Sequence, residues 1–523
     1  MSTTPYDYII IGSGFGGSVS ALRLSEKGYR VLVLEKGKWL AAKDFPATNW
    51  NLKKWLWLPA LRFFGLFKIT FFRHVTILSG AGVGGGSLVY ANTLPTPKTN
   101  FFQAETWAHL ADWENELKPF YQIALRMMGA APNPRLEIGD RALQQLALEI
   151  GKAEQFHPTT VAVYFGESGL TVADPYFNGK GPTRTGCIFC GGCMLGCRHN
   201  AKNTLDKNYL YLAQQNGAKI QAESEVYEVA PLDRQNGATG YKVKWRSSTS
   251  MLKTKGEYTC RGVVFAGGVL GTVKLLLKLK ETSLPNLSDK VGSGIRTNSE
   301  SLIGVTTFDR NKKFCDGIAI GSILHTDEHS HVEPVRYSSG SGFWRILMSP
   351  LIGGSSMLMR MAKIFWDLLR HPLENLKIFF IDDWSKRTQI LLFMQTIDTT
   401  LRFSKGRFGM KSMLEEGPAP TAFILEAKAL AERYAKIVEG KPTVLLTETL
   451  FGIPTTAHIL GGAVMGKDKT EGVIDKDNRV FGYENMYVCD GAMISANPGV
   501  NPALTIMALT ERAMSKIPPR HPL

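Results

Sequence analysis

The sequence predicts an α/β protein of two interleaved domains, one built on a parallel sheet and the other an α+β cap. Three observations predict it. An apolar strand-like run opens the chain and passes straight into a glycine-rich turn, a helical run and a second strand. Glycine-dense turns flanked by strand and helix patterns return in the middle of the chain and near its end. The length of 523 residues exceeds one compact core, yet no internal repeat or low-complexity linker divides it into domains in series.

The first unit runs Tyr8-Ile-Ile-Ile11, Gly12-Ser-Gly14-Phe15-Gly16-Gly17, then a helical pattern from Ser18 to Lys27 and a strand Tyr29–Leu34 closed by Glu35. This is strand, Gly-x-Gly-x-x-Gly turn, helix, strand and acid in the order a dinucleotide site requires. Gly12 permits the tight turn, Gly14 lets the backbone approach a pyrophosphate, and Gly17 lets helix and strand pack closely. The helix N-terminus offers free N–H groups, and Glu35 can accept from ribose hydroxyls, which favours FAD or NAD over NADP.

Three later segments decide between flavin and nicotinamide. Ile77 to Asn92 is a second glycine-dense loop with Gly80, Gly82, Gly85, Gly86 and Ser87, able to lie flat against a ring or a phosphate. Val263–Ala266, Gly267-Gly268 and the run from Val269 make a late strand, turn and helix. Met486–Cys489 is a strand ending in Asp490-Gly491, followed by Asn497-Pro-Gly-Val-Asn501-Pro502 and a helix from Ala503. A nucleotide domain assembled from the first, middle and last parts of a chain is typical of flavoproteins.

On Gly12–Gly17, Gly80–Ser87, Ala457-His458-Ile-Leu-Gly461-Gly462 and Asp490 through Asn501-Pro502, the whole chain resembles the glucose–methanol–choline (GMC) oxidoreductase family, and within it the cholesterol oxidase-like members. The resemblance implies an FAD-binding Rossmann-like domain interleaved with an α+β substrate-binding domain, and oxidation of an alcohol CH–OH. The division expected is 1–95, 185–305 and 449–523 for FAD, and 96–184 and 306–448 for the substrate. The expected cofactor contacts are Gly12, Gly14, Phe15, Gly17, Glu35, Gly80, Gly82, Gly85, Gly86, Ser87, Asn92, Val226, Gly267, Asp490, Gly491, Asn501 and Pro502.

Hydride abstraction from an alcohol needs a group for the hydroxyl proton, a means of aiming the C–H, and support for the reduced flavin. By resemblance His458 and Asn501 face the substrate hydroxyl, His458 taking or relaying its proton and Asn501 orienting the substrate. Alone, His458 would more often be a structural histidine and Asn501 a turn or cap residue. Cholesterol oxidases also carry a glutamate that shifts a proton during double-bond isomerisation. Glu333 matches its place in chain order, and the competing reading is a structural Glu333/Arg336 pair.

Four of the seven cysteines, Cys187, Cys190, Cys193 and Cys197, read C-x2-C-x2-C-x3-C, the spacing of a bacterial ferredoxin run with Arg198 in place of proline. This leaves an iron–sulfur cluster (3Fe–4S or 4Fe–4S), a structural zinc and plain reduced thiols open. Cys260, Cys315 and Cys489 read as buried small apolar residues.

Composition bounds the partners. Hydrophobic residues at 44% and charged residues at 20% place the chain among globular proteins. Its 61 Lys and Arg against 46 Asp and Glu give +15, which suggests an acidic partner. Trp50 to Arg73 holds five basic residues and no acidic one among many aromatics, and Phe343–Met348 with Met357–Arg370 repeats the mixture. Both resemble interfacial segments, so an anionic membrane surface fits better than nucleic acid, for which no recognition motif appears. The alternative is core-facing helices with solvated charges. The chain starts Met1-Ser-Thr-Thr-Pro5 without a signal-peptide pattern, and no run reaches the ~20 apolar residues of a spanning helix. A cytoplasmic protein, free or peripheral to a membrane, is expected.

The reading is therefore an FAD-dependent enzyme for a sterol or other bulky hydrophobic alcohol, with oxygen, a quinone or a redox protein as electron acceptor. Two alternatives stand beside it: a dehydrogenase passing electrons through an iron–sulfur cluster, and a flavin- or lipid-binding protein without catalysis.

Overall fold

The computed structural model describes residues 6–520 apart from 234, 355 and 408. The Met1–Pro5 stretch read above for targeting lies outside them. The opening run becomes the strand Tyr6–Ile11, with Ile9 and Ile10 fully buried. It pairs in parallel with Val31–Leu34 on one side and with Lys255–Phe265 on the other. Lys219–Gln221 extends the parallel sheet beyond Val31–Leu34.

Lys255–Phe265 is long enough to serve two partners on its outer edge. Residues 255–260 pair antiparallel with Tyr241–Ser247, while Val263–Phe265 pair in parallel with Met486–Val488. The strand therefore joins early, middle and late parts of the chain in one seven-stranded sheet. The helix Phe15–Glu26 lies against Ala503–Ser515, whose residues 503–514 are all buried. Phe15–Glu26 also crosses the end of the strand Met486–Val488 so closely that it demands glycine, because a Cβ on Gly16 would sit 1.6 Å from the Cys489 carbonyl oxygen. The helix Trp113–Met127 packs on the other side of Ala503–Ser515, so this part of the 96–184 segment lies with the parallel sheet.

A second, antiparallel sheet of seven strands runs in the order Met348–Pro350, Gly440–Leu445, Ser301–Thr307, Thr388–Gln395, Ser330–Val335, Ser322–His325 and Phe156–Pro158. Its central strand, Thr388–Gln395, is buried at every position. The two faces alternate with the pleat. Leu391 and Phe393 join the core under the helices Ile138–Glu149 and Leu425–Val438. Ile390, Leu392 and Met394 join a second core with Trp55, Phe67 and Trp344. This second face looks towards the parallel sheet, and the candidate site lies between them.

Candidate active site

One large cavity, of about 1050 Å³, is walled by both sheets. That is at the top of the ~300–1,000 Å³ range of small-molecule sites, enough for a dinucleotide and a second molecule. At one end are Gly12, Gly14, Phe15, Glu35, Val226 and Gly267. Next come Gly80, Gly85 and Gly86, then Asp490, Gly491, Asn501, Pro502 and His458. Where the antiparallel sheet forms the wall it is apolar, with Phe67, Trp344, Met348, Ile390 and Leu392 packed as one cluster.

The glycine cradle fits a dinucleotide. Gly12 has φ +104, and a Cβ there would lie 2.3 Å from the Ala266 carbonyl oxygen, so the tight turn tolerates no side chain. Glu35 is buried, and its carboxylate accepts from the Ser13 N–H at 3.0 Å, the Ser13 hydroxyl at 2.8 Å and the Gly37 N–H at 2.8 Å. These bonds fix its orientation and leave lone pairs for ribose hydroxyls. Asp490 accepts from the Thr272 hydroxyl at 2.5 Å and the Ala492 N–H at 2.8 Å, and burial pushes its carboxyl up to about 6.

Four expected cofactor residues stand behind the wall instead of on it. Gly17 gives close packing, since a Cβ would meet the Gly12 carbonyl oxygen at 2.1 Å. Gly82 has φ +137 and lies under Gly37. The Ser87 hydroxyl donates to the Gly84 carbonyl at 2.7 Å and accepts from the Leu205 N–H at 3.1 Å. Asn92 holds φ 70 between two wall residues, Ala91 and Thr93. Its amide is buried with no hydrogen-bond partner among the described residues, an unmet demand that a bound polar ring would answer.

His458 follows the short strand Thr455–Thr456, which pairs in parallel with Thr76 and Ile77. Its Nδ1 lies 2.8 Å from the fully buried carboxylate of Glu300. Glu300 also accepts from the Ala457 and His458 N–H groups. Reciprocal hydrogen bonds between Arg296 and Leu460, at 2.9 and 3.0 Å, bring the two segments side by side. Gly461 makes this approach possible, because a Cβ there would sit 1.9 Å from the Gly294 carbonyl oxygen. Burial alone would lower the His458 pKa, but the charge and hydrogen bond of Glu300, with the charge of Glu333, raise it overall.

Asn501 is buried on the turn before Ala503–Ser515, and its Nδ2 donates to Glu333 at 3.3 Å. Asn501 Oδ1 and Glu333 Oε1 are buried without a hydrogen-bond partner among the described residues. Glu333 is paired in register with Leu392 on the cavity side of the antiparallel sheet. The Glu333/Arg336 pairing does not form: Arg336 bonds Asp140 at 2.8 Å, and Glu333 turns instead to Asn501, with His331 3.7 Å away. The three expected catalytic residues therefore converge.

Sequence reasoning missed Glu300, Glu448 and Lys68. Glu448 is buried in the helix Leu446–Phe451, and burial and the charge of Glu300 push its carboxyl up to about 8. Lys68 lines the cavity, and burial with Lys36 and Lys274 lowers its ammonium to about 7. Nothing in the sequence around Glu300 marks it, since its partner is 158 residues away.

The metal expectation for Cys187, Cys190, Cys193 and Cys197 is not met. Among the described residues no three His, Cys, Asp or Glu side chains are placed to share an ion. The cause is local. Cys187 is buried and its sulfur accepts from the Phe189 N–H at 3.4 Å, while the Cys197 sulfur accepts from Ala201 and Lys202 at 3.3 and 3.4 Å. Cys190 is exposed. Burial pushes the Cys193 thiol up to about 11. The run packs with Val161, Val163 and Ile318 as a small core. It also straps Lys202, whose ammonium donates to the carbonyls of Leu88, Tyr90 and Cys193 at 3.1, 2.9 and 2.8 Å.

The two basic aromatic segments separate. Trp55, Trp57 and Phe67 are buried, Trp55 stacking on Phe67 at 5.0 Å, and Trp57, Phe67, Lys68 and Ile69 line the cavity, while Leu61 and Phe71 of the same segment are exposed. The second, Met357–Arg370, is an exposed amphipathic helix.

Comparison with known proteins places this arrangement. The family model described as GMC oxidoreductase matches residues 6–279 in its N-terminal part and 418–510 in its C-terminal part. A cholesterol oxidase of Acinetobacter baumannii is 45% identical over 99% of this chain and 95% of its own. A cholesterol oxidase of Mycobacterium tuberculosis is 43% identical over 98% and 91%. A solved structure of a pyridoxine 4-oxidase from Mesorbium loti superposes with a TM-score of 0.61 at 15% identity, covering 98% of this chain and 99% of that one, which speaks for the fold alone. With both parts of the family model and full-length relatives matched, the chain belongs to the GMC oxidoreductase family.

Proposed function

We propose that this protein is an FAD-dependent oxidoreductase that converts the CH–OH group of a sterol, or another bulky hydrophobic alcohol, to the carbonyl. One observation carries the reading: a single cavity runs from the glycine cradle, past His458 and Asn501, into an apolar chamber. The similarity to full-length cholesterol oxidases supports the sterol class and oxygen as the acceptor. The parallel sheet serves as the FAD-binding part and the antiparallel sheet as the substrate-binding part.

Bound FAD supplies the two-electron acceptor that no side chain provides. The N-terminus of Phe15–Glu26 holds the pyrophosphate, and Glu35 the ribose. Asp490 and Gly491 on the wall would border the rest of the cofactor. At the reacting end, Glu300 takes the Nδ1 side of His458 and leaves Nε2 for the alcohol hydroxyl. His458 accepts the hydroxyl proton, and the imidazolium it becomes is paired with Glu300. Asn501, held by Glu333 through its Nδ2, orients the alcohol from its place on the cavity wall beside His458. The apolar chamber sheds water and selects a bulky, flat or branched hydrocarbon.

Glu333 is the group positioned to move a proton within an unsaturated product. Product analysis of holoenzyme given an unsaturated sterol tests both parts. Wild type should release the isomerised ketone, and Glu333→Gln the unisomerised one at a comparable rate of sterol consumption. Failure of wild type to oxidise any sterol or long hydrophobic alcohol would reject the function. Equal loss of oxidation and isomerisation in the variant would reject the assignment to Glu333.

A further inference from the structure

The helix Met357–Arg370 and the helix Pro372–Phe379 that follows form a surface ridge with an unusual share of apolar side chains in solvent. Leu358 is 79% exposed, Phe365 62%, Leu373 70% and Phe380 72%. Over residues 356–380 only Arg360 and Ile378 are buried, so little of the ridge is held by the body of the protein. Such a face exceeds the scattered apolar exposure normal for a monomer and marks an interaction surface.

We propose that this ridge docks the enzyme on an anionic lipid bilayer, an inference that rests on the hydrophobic-alcohol reading of the site. Charge selects the occupant. Lys363, Arg370 and Lys377 are exposed on the two helices against one exposed carboxylate, Glu374, while Asp367 is engaged by Lys441. The whole chain carries +15, which adds attraction to an anionic surface. Arg370 lies 5.0 Å over the Trp366 ring, the cation and indole pairing suited to headgroup depth. Among the described residues no helix is long and apolar enough to cross a membrane, so the ridge lies in the interface plane.

Position selects the purpose. Met357–Arg370 packs against Met348–Pro350 and Leu446–Phe451. Met348 and the adjoining Leu445 line the apolar part of the active-site cavity. A lipid alcohol in the bilayer would therefore lie next to the chamber that receives it, and the ridge would shorten its path through water.

The test uses holoenzyme, wild type and the triple variant Phe365→Gln, Leu369→Gln, Phe380→Gln, whose side chains are all at least half exposed. Neither the cavity wall nor the catalytic groups are altered. Flotation is measured with phosphatidylcholine vesicles and with vesicles containing phosphatidylglycerol, alongside turnover of one alcohol in vesicles and in detergent. Wild type should float with the anionic vesicles, and the variant at least about tenfold less, with the loss repeated in vesicle turnover and absent in detergent. Equal flotation of the two proteins overturns docking. So does a wild type that stays in solution as a dimer that the variant turns into a monomer, since a second copy is then the occupant. Anionic flotation without oxidation in either presentation supports the docking and defeats the functional reading instead.

Discussion

Burial alone would keep the His458 imidazole neutral, yet Glu300 and Glu333 outweigh it, so the ring holds its proton to higher pH than a free histidine. A base must shed that proton before it can take one from an alcohol. Activity should therefore rise with pH through the raised pKa of His458. Glu300→Gln preserves the shape and removes the charge, which favours the neutral ring. Its kcat/KM profile should show the acid limb displaced to lower pH, with kcat down by about 10- to 100-fold as the imidazolium loses its partner. A loss of activity with the limb unmoved would make Glu300 a structural group only. His458 was legible in the sequence because Gly461 and Gly462 follow it. Glu300 was not, because its meeting with His458 is made by backbone pairing of Arg296 with Leu460.

At the scale of elements, the support behind His458 is the helix Leu446–Phe451 and the strand Thr455–Thr456. Glu448 is enclosed there with its carboxyl pushed up to about 8 by burial and Glu300. An acid whose folded pKa is raised binds its proton more tightly folded than unfolded. The stability it contributes is full below the unfolded value of about 4.3 and is lost as pH rises through about 8. Glu448→Gln imitates the protonated acid, so it should match wild type in Tm near pH 4.5 and melt several degrees higher at pH 9. Parallel melting curves across that range would show that Glu448 carries no such linkage.

The glycine-turn elements were legible because sterics leave few residue types for them. Strand, turn and helix at Tyr6–Ile11 and Phe15–Glu26 fall where the motif places them. The antiparallel sheet was less so. Thr388–Gln395 is covered on both faces, so its sequence shows no polar and apolar alternation. The cysteine spacing misled for a related reason. Gly191 and Gly196 take φ of +66 and +101, and among the described residues the turns they make leave the four thiols around one small cavity without three of them placed to share an ion.

For the whole molecule, the charge of +15 and the aromatic segments resolve into two parts. Trp57 and Phe67 wall the cavity, while Met357–Phe379 faces solvent beside its apolar part. Length resolves likewise, into two sheets that share one cavity. On the proposed function this cavity brings an alcohol to His458 and Asn501 beside a bound flavin. Anaerobic spectrophotometry of the holoenzyme tests it most directly. A sterol or long hydrophobic alcohol should bleach the flavin of wild type within a single turnover, and His458→Ala should slow that bleaching by about 100-fold or more without loss of bound flavin. A wild-type flavin that stays oxidised with every such alcohol, or a His458→Ala protein that bleaches at the wild-type rate, would contradict it.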